Sequence, residues 1–202
     1  MSKFITFEGV EGCGKSTQSK MLYDYLVERN MPAILTREIG GTSVAEDIRK
    51  IVLHSDLLPM SELLLVMAAR CEHINKLILP SIKNNLWVIC DRFIDSTACY
   101  QGMSPDIGVE KVFQLHRDIC NDIMPDTTIF IDVPPSYALV QALARGDNNK
   151  FEEKDSAFHN RVYSSFQSLA SRFSNRIHAI PALGLSKESL HKKILEHLEL
   201  IF

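Results

Sequence analysis

Gly9-Val-Glu-Gly-Cys-Gly-Lys15-Ser16 is a G-x-x-x-x-G-K-[ST] loop. Glycines at this spacing let the backbone turn so that successive N–H groups face one anion. A helix beginning at the loop's end adds its positive N-terminus. In such a loop the lysine reaches the β- and γ-phosphates of a nucleotide and the serine hydroxyl is a Mg²⁺ ligand. The bland alternative is a chance glycine-rich turn. Against it, an apolar run precedes the loop and a helical pattern follows it.

Other candidates stand farther along the chain. Thr36-Arg37-Glu38-Ile39-Gly40-Gly41-Thr42 places an arginine beside a flexible glycine pair, a phosphate grip or a solvated turn. Asp91-Arg92-Phe93 follows an apolar strand pattern. There the carboxylate can hold water on Mg²⁺ and the arginine can neutralise charge between two phosphates, unless the two form a surface ion pair. Arg70, in Met67-Ala-Ala-Arg70, lies among apolar residues, where arginines usually snorkel or pair. It is also a candidate to hydrogen-bond a base. Ser96 to Gly102, STACYQG, reads as a polar turn whose Tyr100 packs on a sugar or on the core. The stretch from Arg145 to Asp155 is charged, either a solvated linker or a lid whose basic residue excludes water from the γ-phosphate.

Short apolar runs position these residues, alternating with amphipathic stretches. Strands are expected at 4–7, 33–36, 86–90, 128–133 and 177–180. Helices are expected at 15–29, from a capping box at Ser43 and Glu46, at 61–84 with Pro80 kinking or ending it, and at 109–123, 136–144, 156–173 and 186–200. In the longest helix Leu64, Met67, Ala68, Cys71, Ile74 and Ile78 are expected to face inward. Five strands alternating with helices imply an α/β fold with a parallel sheet covered on both faces, binding ligands at the strands' carboxyl ends.

The 202 residues suit one domain with a lid at about 145–155, and the net charge of −3 with 46% hydrophobic residues does not suggest a nucleic-acid coat. Five cysteines without a C-x-x-C pair argue against zinc or a disulfide framework and favour a reducing cytosol. No apolar run reaches spanning length and no signal peptide is expected. Neither Asn75-Lys76 nor Asn149-Lys150 is followed by the aspartate of the guanine-binding N-K-x-D pattern.

Taken together, F-E-G-V-E-G-C-G-K-S-T from Phe7, T-R-E-I-G-G-T from Thr36, A-A-R from Ala68, D-R-F-I-D-S-T-A-C-Y-Q-G from Asp91 and Arg145-Gly146 resemble the bacterial thymidylate kinase family over nearly the whole chain. The resemblance implies a three-layer α/β/α nucleoside-monophosphate kinase fold, a five-stranded parallel sheet, a short lid and a cytoplasmic homodimer. It implies transfer of the γ-phosphate of ATP to dTMP with Mg²⁺, and no nucleic-acid or membrane partner. The resemblance puts Gly9, Glu11, Gly12, Cys13, Gly14, Lys15, Ser16 and Thr17 around ATP, with Arg145 near the adenine. It assigns Arg37 and Arg92 to the dTMP phosphate, Arg70 to thymine O4, and Ser96 and Thr97 to the base pocket. Tyr100 falls under the deoxyribose, Glu11 near its 3′-hydroxyl, and Ser16, Glu8 and Asp91 at the metal. Lys15, Arg92 and the lid residue Lys150 make up its catalytic set.

The chain also departs from the family pattern. Lys150 stands where the family has a lid arginine, and lacks the planar fork. Val66 stands where a phenylalanine commonly stacks on thymine, a contact worth about 1–3 kcal/mol. Ile39 replaces a proline, and Phe93 a histidine or tyrosine. Two other readings stay open on the residues alone. One is a kinase for dUMP, dCMP or a nucleoside. The other is a nucleotide-sensing protein without turnover, against which the later arginines argue.

Overall fold

The computed structural model describes residues 3–143, 150–151 and 153–201. Five strands, β1 (Phe4–Glu8), β2 (Ala33–Arg37), β3 (Trp87–Asp91), β4 (Thr127–Asp132) and β5 (Ile177–Pro181), form one parallel sheet in the order β2-β3-β1-β4-β5. The three central strands read as near-continuous apolar runs because both faces are covered. Phe4, Ile5, Phe7, Val88, Ile89, Cys90, Ile129, Phe130 and Ile131 are all buried. The register sets Phe7 and Arg37 on either side of Asp91, so the ends of β1, β2 and β3 meet at one place.

Helices α1 (Lys15–Glu28), α2 (Ser43–His54), α3 (Pro59–His73), α4 (Leu79–Lys83), α5 (Ile94–Tyr100), α6 (Val109–Cys120), α7 (Pro135–Leu143), α8 (Ser156–Arg172) and α9 (Lys187–Ile201) complete the described layers. The cap of α2 is Thr42, not Ser43. Its hydroxyl accepts the Ala45 amide at 3.2 Å, while Glu46 turns outward to Arg37 and the Gly41 amide. Pro80 neither ends nor breaks the long helical run. Its missing N–H and its ring are met by a π-helical turn, Ile74–Ile78, directly ahead of α4. α6 stops at Cys120 because Asn121 and Asp122 both take positive φ.

Two further expectations are corrected. The buried stripe of α3 is Leu63, Val66, Met67, Arg70 and His73, leaving Leu64 and Ala68 exposed. The apolar pattern gives the wrong phase because two charged or polar residues, Arg70 and His73, belong to the inward face. Residues 96–102 begin as helix α5 rather than as a turn. Its polar residues face inward, each to a partner distant in sequence: Asp95 to Arg176 at 2.7 Å, Ser96 to Glu8 at 2.5 Å and Thr97 to Arg70 at 2.6 Å.

Candidate active site

At the carboxyl ends of β1, β2 and β3 lies a cleft of about 700 Å³. Residues of the glycine loop line one part of it, and Arg37, Arg49, Arg70, Arg92, Thr97 and Tyr100 another. The loop's shape depends on Gly9, at φ +142°. A Cβ there would lie 2.9 Å from the Ile131 carbonyl oxygen and 2.8 Å from Cys13 Sγ. Gly12 and Gly14 also take positive φ, and Gly14 precedes the first residue of α1, Lys15. The Lys15 ammonium folds back on its own loop, donating to the Val10 carbonyl at 2.7 Å, with Cys13 Sγ at 3.7 Å. Cys13 is buried beneath the loop rather than on the cleft wall; Glu11, Gly12, Gly14, Ser16 and Thr17 line it. The Ser16 hydroxyl donates to Asp91 Oδ2, and Asp91 Oδ1 is buried without a hydrogen-bond partner among the described residues.

Arg92 is held at φ +68°, a conformation uncommon for a residue with a Cβ. Its amide donates to the Phe7 carbonyl at 2.9 Å. The side chain is directed over the loop. Nη1 donates to Gly9 O at 3.1 Å and to Ser96 Oγ at 2.9 Å, Nη2 lies 2.8 Å from Glu11 Oε1, and the guanidinium sits 5.2 Å from the Tyr100 ring centre. The Tyr100 ring is edged by Phe151 at 5.6 Å and Phe158 at 6.1 Å, and its hydroxyl reaches toward Glu11 at 3.5 Å. Arg37 makes a two-pronged contact with Glu46, at 3.2 and 2.8 Å. The Arg37 hydrogen bond foremost holds the Glu46 carboxyl below its ordinary range.

Arg70 is only 1% exposed. Its Nε donates to Glu38 Oε2 at 2.7 Å, Nη2 donates to Thr97 Oγ1 at 2.6 Å, and Nη1 faces the weak acceptor Met67 Sδ at 3.6 Å. The other Glu38 oxygen meets His73 Nδ1 at 3.0 Å, and His73 Nε2 meets Thr36 Oγ1 at 2.7 Å. A buried charge is tolerable only with such partners. Burial pushes the Glu38 carboxyl upward, yet Arg70 and His73 together hold it below the ordinary value. Val66 lines the cleft beside Arg70. The Glu38–Ile39 peptide is cis.

Three expected site residues stand differently. Glu8 is fully buried: Oε1 accepts the Phe93 and Ser96 amides at 2.7 and 3.2 Å, and Oε2 accepts the Ser96 hydroxyl at 2.5 Å. It clamps the turn between β3 and α5, and a carboxylate so occupied is not a candidate for metal-bound water. Burial, then the charge of Asp95, raises its pKa to about 7. Ser96 lines the cleft, but its hydroxyl is divided between Glu8 and Arg92, so it positions Arg92 rather than reading a base. The Lys150 ammonium is taken by Glu62 Oε2 at 2.5 Å and the Ser55 carbonyl at 3.0 Å, and would have to give up both to meet a γ-phosphate. Arg145 lies outside the described residues.

Four residues at or beside the cleft, Arg49, Glu38, Glu62 and Gln101, are not among those the sequence singles out. Arg49 donates to the Ile39 carbonyl at 2.9 Å and lines the cleft with Arg37 and Arg92. Burial first, then the charge of Arg37, lowers its pKa. On an amphipathic helix it looks like any solvated arginine. Glu38 and Gln101 sat inside quoted motifs, but no spacing tells which carboxylate or amide will be buried.

A family model described as Thymidylate kinase matches residues 7–194. The thymidylate kinase of Rickettsia bellii (strain RML369-C) is 52% identical over 198 residues, covering 98% of this chain and 96% of the relative. That of Rickettsia typhi is 52% identical over 196 residues, covering 97% of each. The crystal structure of thymidylate kinase from Ehrlichia chaffeensis superposes with a TM-score of 0.78 at 37% identity, covering 98% of both chains.

Proposed function

The chain belongs to the thymidylate kinase family, and from that premise we propose how its cleft moves the γ-phosphate of ATP onto dTMP. The observation carrying the proposal is that one cleft holds both a nucleotide phosphate loop and a second set of guanidiniums, Arg37, Arg49 and Arg92, beside a buried base-facing arginine. Sensing a nucleotide needs no second phosphate grip. Phosphoryl transfer between two nucleotides does.

ATP's phosphates lie on the loop amides, and Lys15 leaves the Val10 carbonyl to reach the β- and γ-phosphates. Arg37, released from Glu46, and Arg49 hold the dTMP phosphate. Arg92 stands between the loop and the acceptor side, where its charge offsets what accumulates on the transferring group. The acceptor oxygen is already anionic, so alignment and charge neutralisation suffice and no general base is assigned. Tyr100 packs under the deoxyribose, Glu11 faces its hydroxyl, and Arg70 Nη1 exchanges the weak acceptor Met67 Sδ for thymine O4.

Ser16 and Asp91 suit Mg²⁺: the hydroxyl already points at the carboxylate, and the partnerless Oδ1 is a ready acceptor for a metal-bound water. Among the described residues no three His, Cys, Asp or Glu side chains gather as a metal cage. That accords with a cation held largely by phosphates and water. When bound, it neutralises charge on the β- and γ-phosphates.

We also propose a homodimer. Leu58 is 76% exposed, and Leu64 of α3, Val44 and Ile51 of α2 and Ile119 of α6 are exposed too. Both α2 and α6 pack on α3, and we read these exposed side chains as one face for a second copy. Leu64→Glu is expected to halve the mass seen by light scattering. A cytoplasmic place is proposed on the substrates; no described helix is long and apolar enough to cross a membrane.

The assigned roles are tested with Arg92→Ala. Turnover is expected to fall about a thousandfold with ATP affinity changed less than threefold. An effect confined to ATP binding rejects the assignment.

A further inference from the structure

Glu62 divides its carboxylate between two partners. Oε1 accepts from Gln101 Nε2 at 2.8 Å, and Oε2 accepts from Lys150 Nζ at 2.5 Å. Gln101 is buried and lines the cleft with Val66, Arg70 and Thr97. An ionised carboxylate can only accept, so it settles which end of the Gln101 amide faces it. The amide's NH₂ turns to Glu62, and the carbonyl Oε1 is the acceptor that remains to Gln101, a residue of the cleft lining. Lys150 also donates to the Ser55 carbonyl at 3.0 Å, which ties Glu62 to the end of α2 through one ammonium.

This orientation has a consequence for the base. Thymine presents an N3–H donor beside the O4 acceptor. Cytosine presents an N3 acceptor beside an amine. A carbonyl at Gln101 next to a guanidinium donor at Arg70 matches the first pattern and opposes the second. A rotated amide would present its NH₂ and suit cytosine N3.

We propose that Glu62 is a positioning residue for base selectivity: it holds the Gln101 amide in the thymine-accepting orientation, with Lys150 as its counter-ion. The proposal rests on dTMP being the acceptor. It gives Lys150 a place on the acceptor side of the cleft, distinct from the phosphate-neutralising role expected of a lid cation.

The test compares kcat and KM for dTMP and dCMP in the wild type, Glu62→Gln, Lys150→Met, Gln101→Leu and the Glu62→Gln/Gln101→Leu double variant. Glutamine at 62 can donate or accept, so it no longer dictates the amide's orientation. The dTMP-to-dCMP ratio of kcat/KM is expected to narrow about tenfold in Glu62→Gln, mainly through the KM for dTMP, with the KM for ATP unchanged. Lys150→Met narrows it about threefold in the same direction. In the Gln101→Leu background Glu62→Gln adds nothing further. An equal loss for both acceptors, or an effect that persists without Gln101, overturns the proposal and leaves Glu62 a structural residue. If Glu62→Gln does not fold, Glu62→Asp, too short to reach both partners, is expected to narrow the ratio alike. Failure of the dTMP reading itself shows separately, as a wild type inactive on dTMP.

Discussion

Replacing Glu38 by glutamine should weaken the protein and blunt its grip on the acceptor together. The side chains of Glu38 and Arg70 are 4% and 1% exposed, and among the described residues their 2.7 Å contact is the only ion pair of the Arg70 guanidinium. Glutamine keeps the shape and one acceptor but removes the charge. Breaking a buried pair costs about 3–5 kcal/mol because the remaining ion stays desolvated. Glutamine's retained acceptor puts the expected loss near the lower figure. For a chain of this length that lowers the melting temperature on the order of 10 °C. An exposed pair serves as control: Asp24→Asn, which breaks the Lys20–Asp24 contact, should cost less than about 0.5 kcal/mol. The pH dependence follows from the direction of the shift. Glu38's carboxyl is held below its ordinary value of 4.5 in the fold, so its contribution is present above that pH and lost as pH falls through the lower folded value. The variant should lack that acid-side loss. Urea unfolding at pH 7 and at pH 4 measures both, and initial rates should show a raised KM for dTMP with the KM for ATP unmoved. A Glu38→Gln protein within about 1 kcal/mol of the wild type would refute the claim that this pair anchors Arg70.

Three further outcomes are expected. Lys15→Ala should abolish ADP release while leaving circular dichroism and melting nearly unchanged, since its ammonium now satisfies only a loop carbonyl and a thiol. Gly9→Ala should lower stability by about 1–3 kcal/mol and turnover about a hundredfold, measured by melting and steady-state rates, because the added Cβ meets a backbone oxygen at 2.9 Å that cannot yield cheaply. Glu8 has the opposite pH sign to Glu38. Its folded pKa of about 7 lies above the ordinary value, so the fold is favoured while it is protonated and loses that advantage as pH rises from about 5 to 8. Glu8→Gln should flatten this fall, by on the order of 3 kcal/mol across the window in denaturant titrations.

Much of the fold could be read in advance because its signals are local. The central strands are unbroken apolar runs, and the glycine loop joins one of them to a helix. What escaped was non-local. STACYQG has the composition of a turn, yet it opens as a buried helix because Glu8 in β1 and Arg70 in α3 satisfy Ser96 and Thr97. Arg70 and His73 made the inward face of α3 look amphiphilic in the wrong phase, since their partner Glu38 lies 32 residues from Arg70. Motif membership put Glu8 at the metal, but the strand's alternation turns it beneath the β3–α5 turn. Lys150 was legible as a lid cation and not as the partner of Glu62, 88 residues away.

The central claim is tested most directly by ADP release with ATP, Mg²⁺ and each nucleoside monophosphate in turn, alongside thymidine. Strong release with dTMP, and far weaker release with dCMP and thymidine, is the predicted result. Release that follows another acceptor, or none from a folded protein that binds ATP, would contradict it.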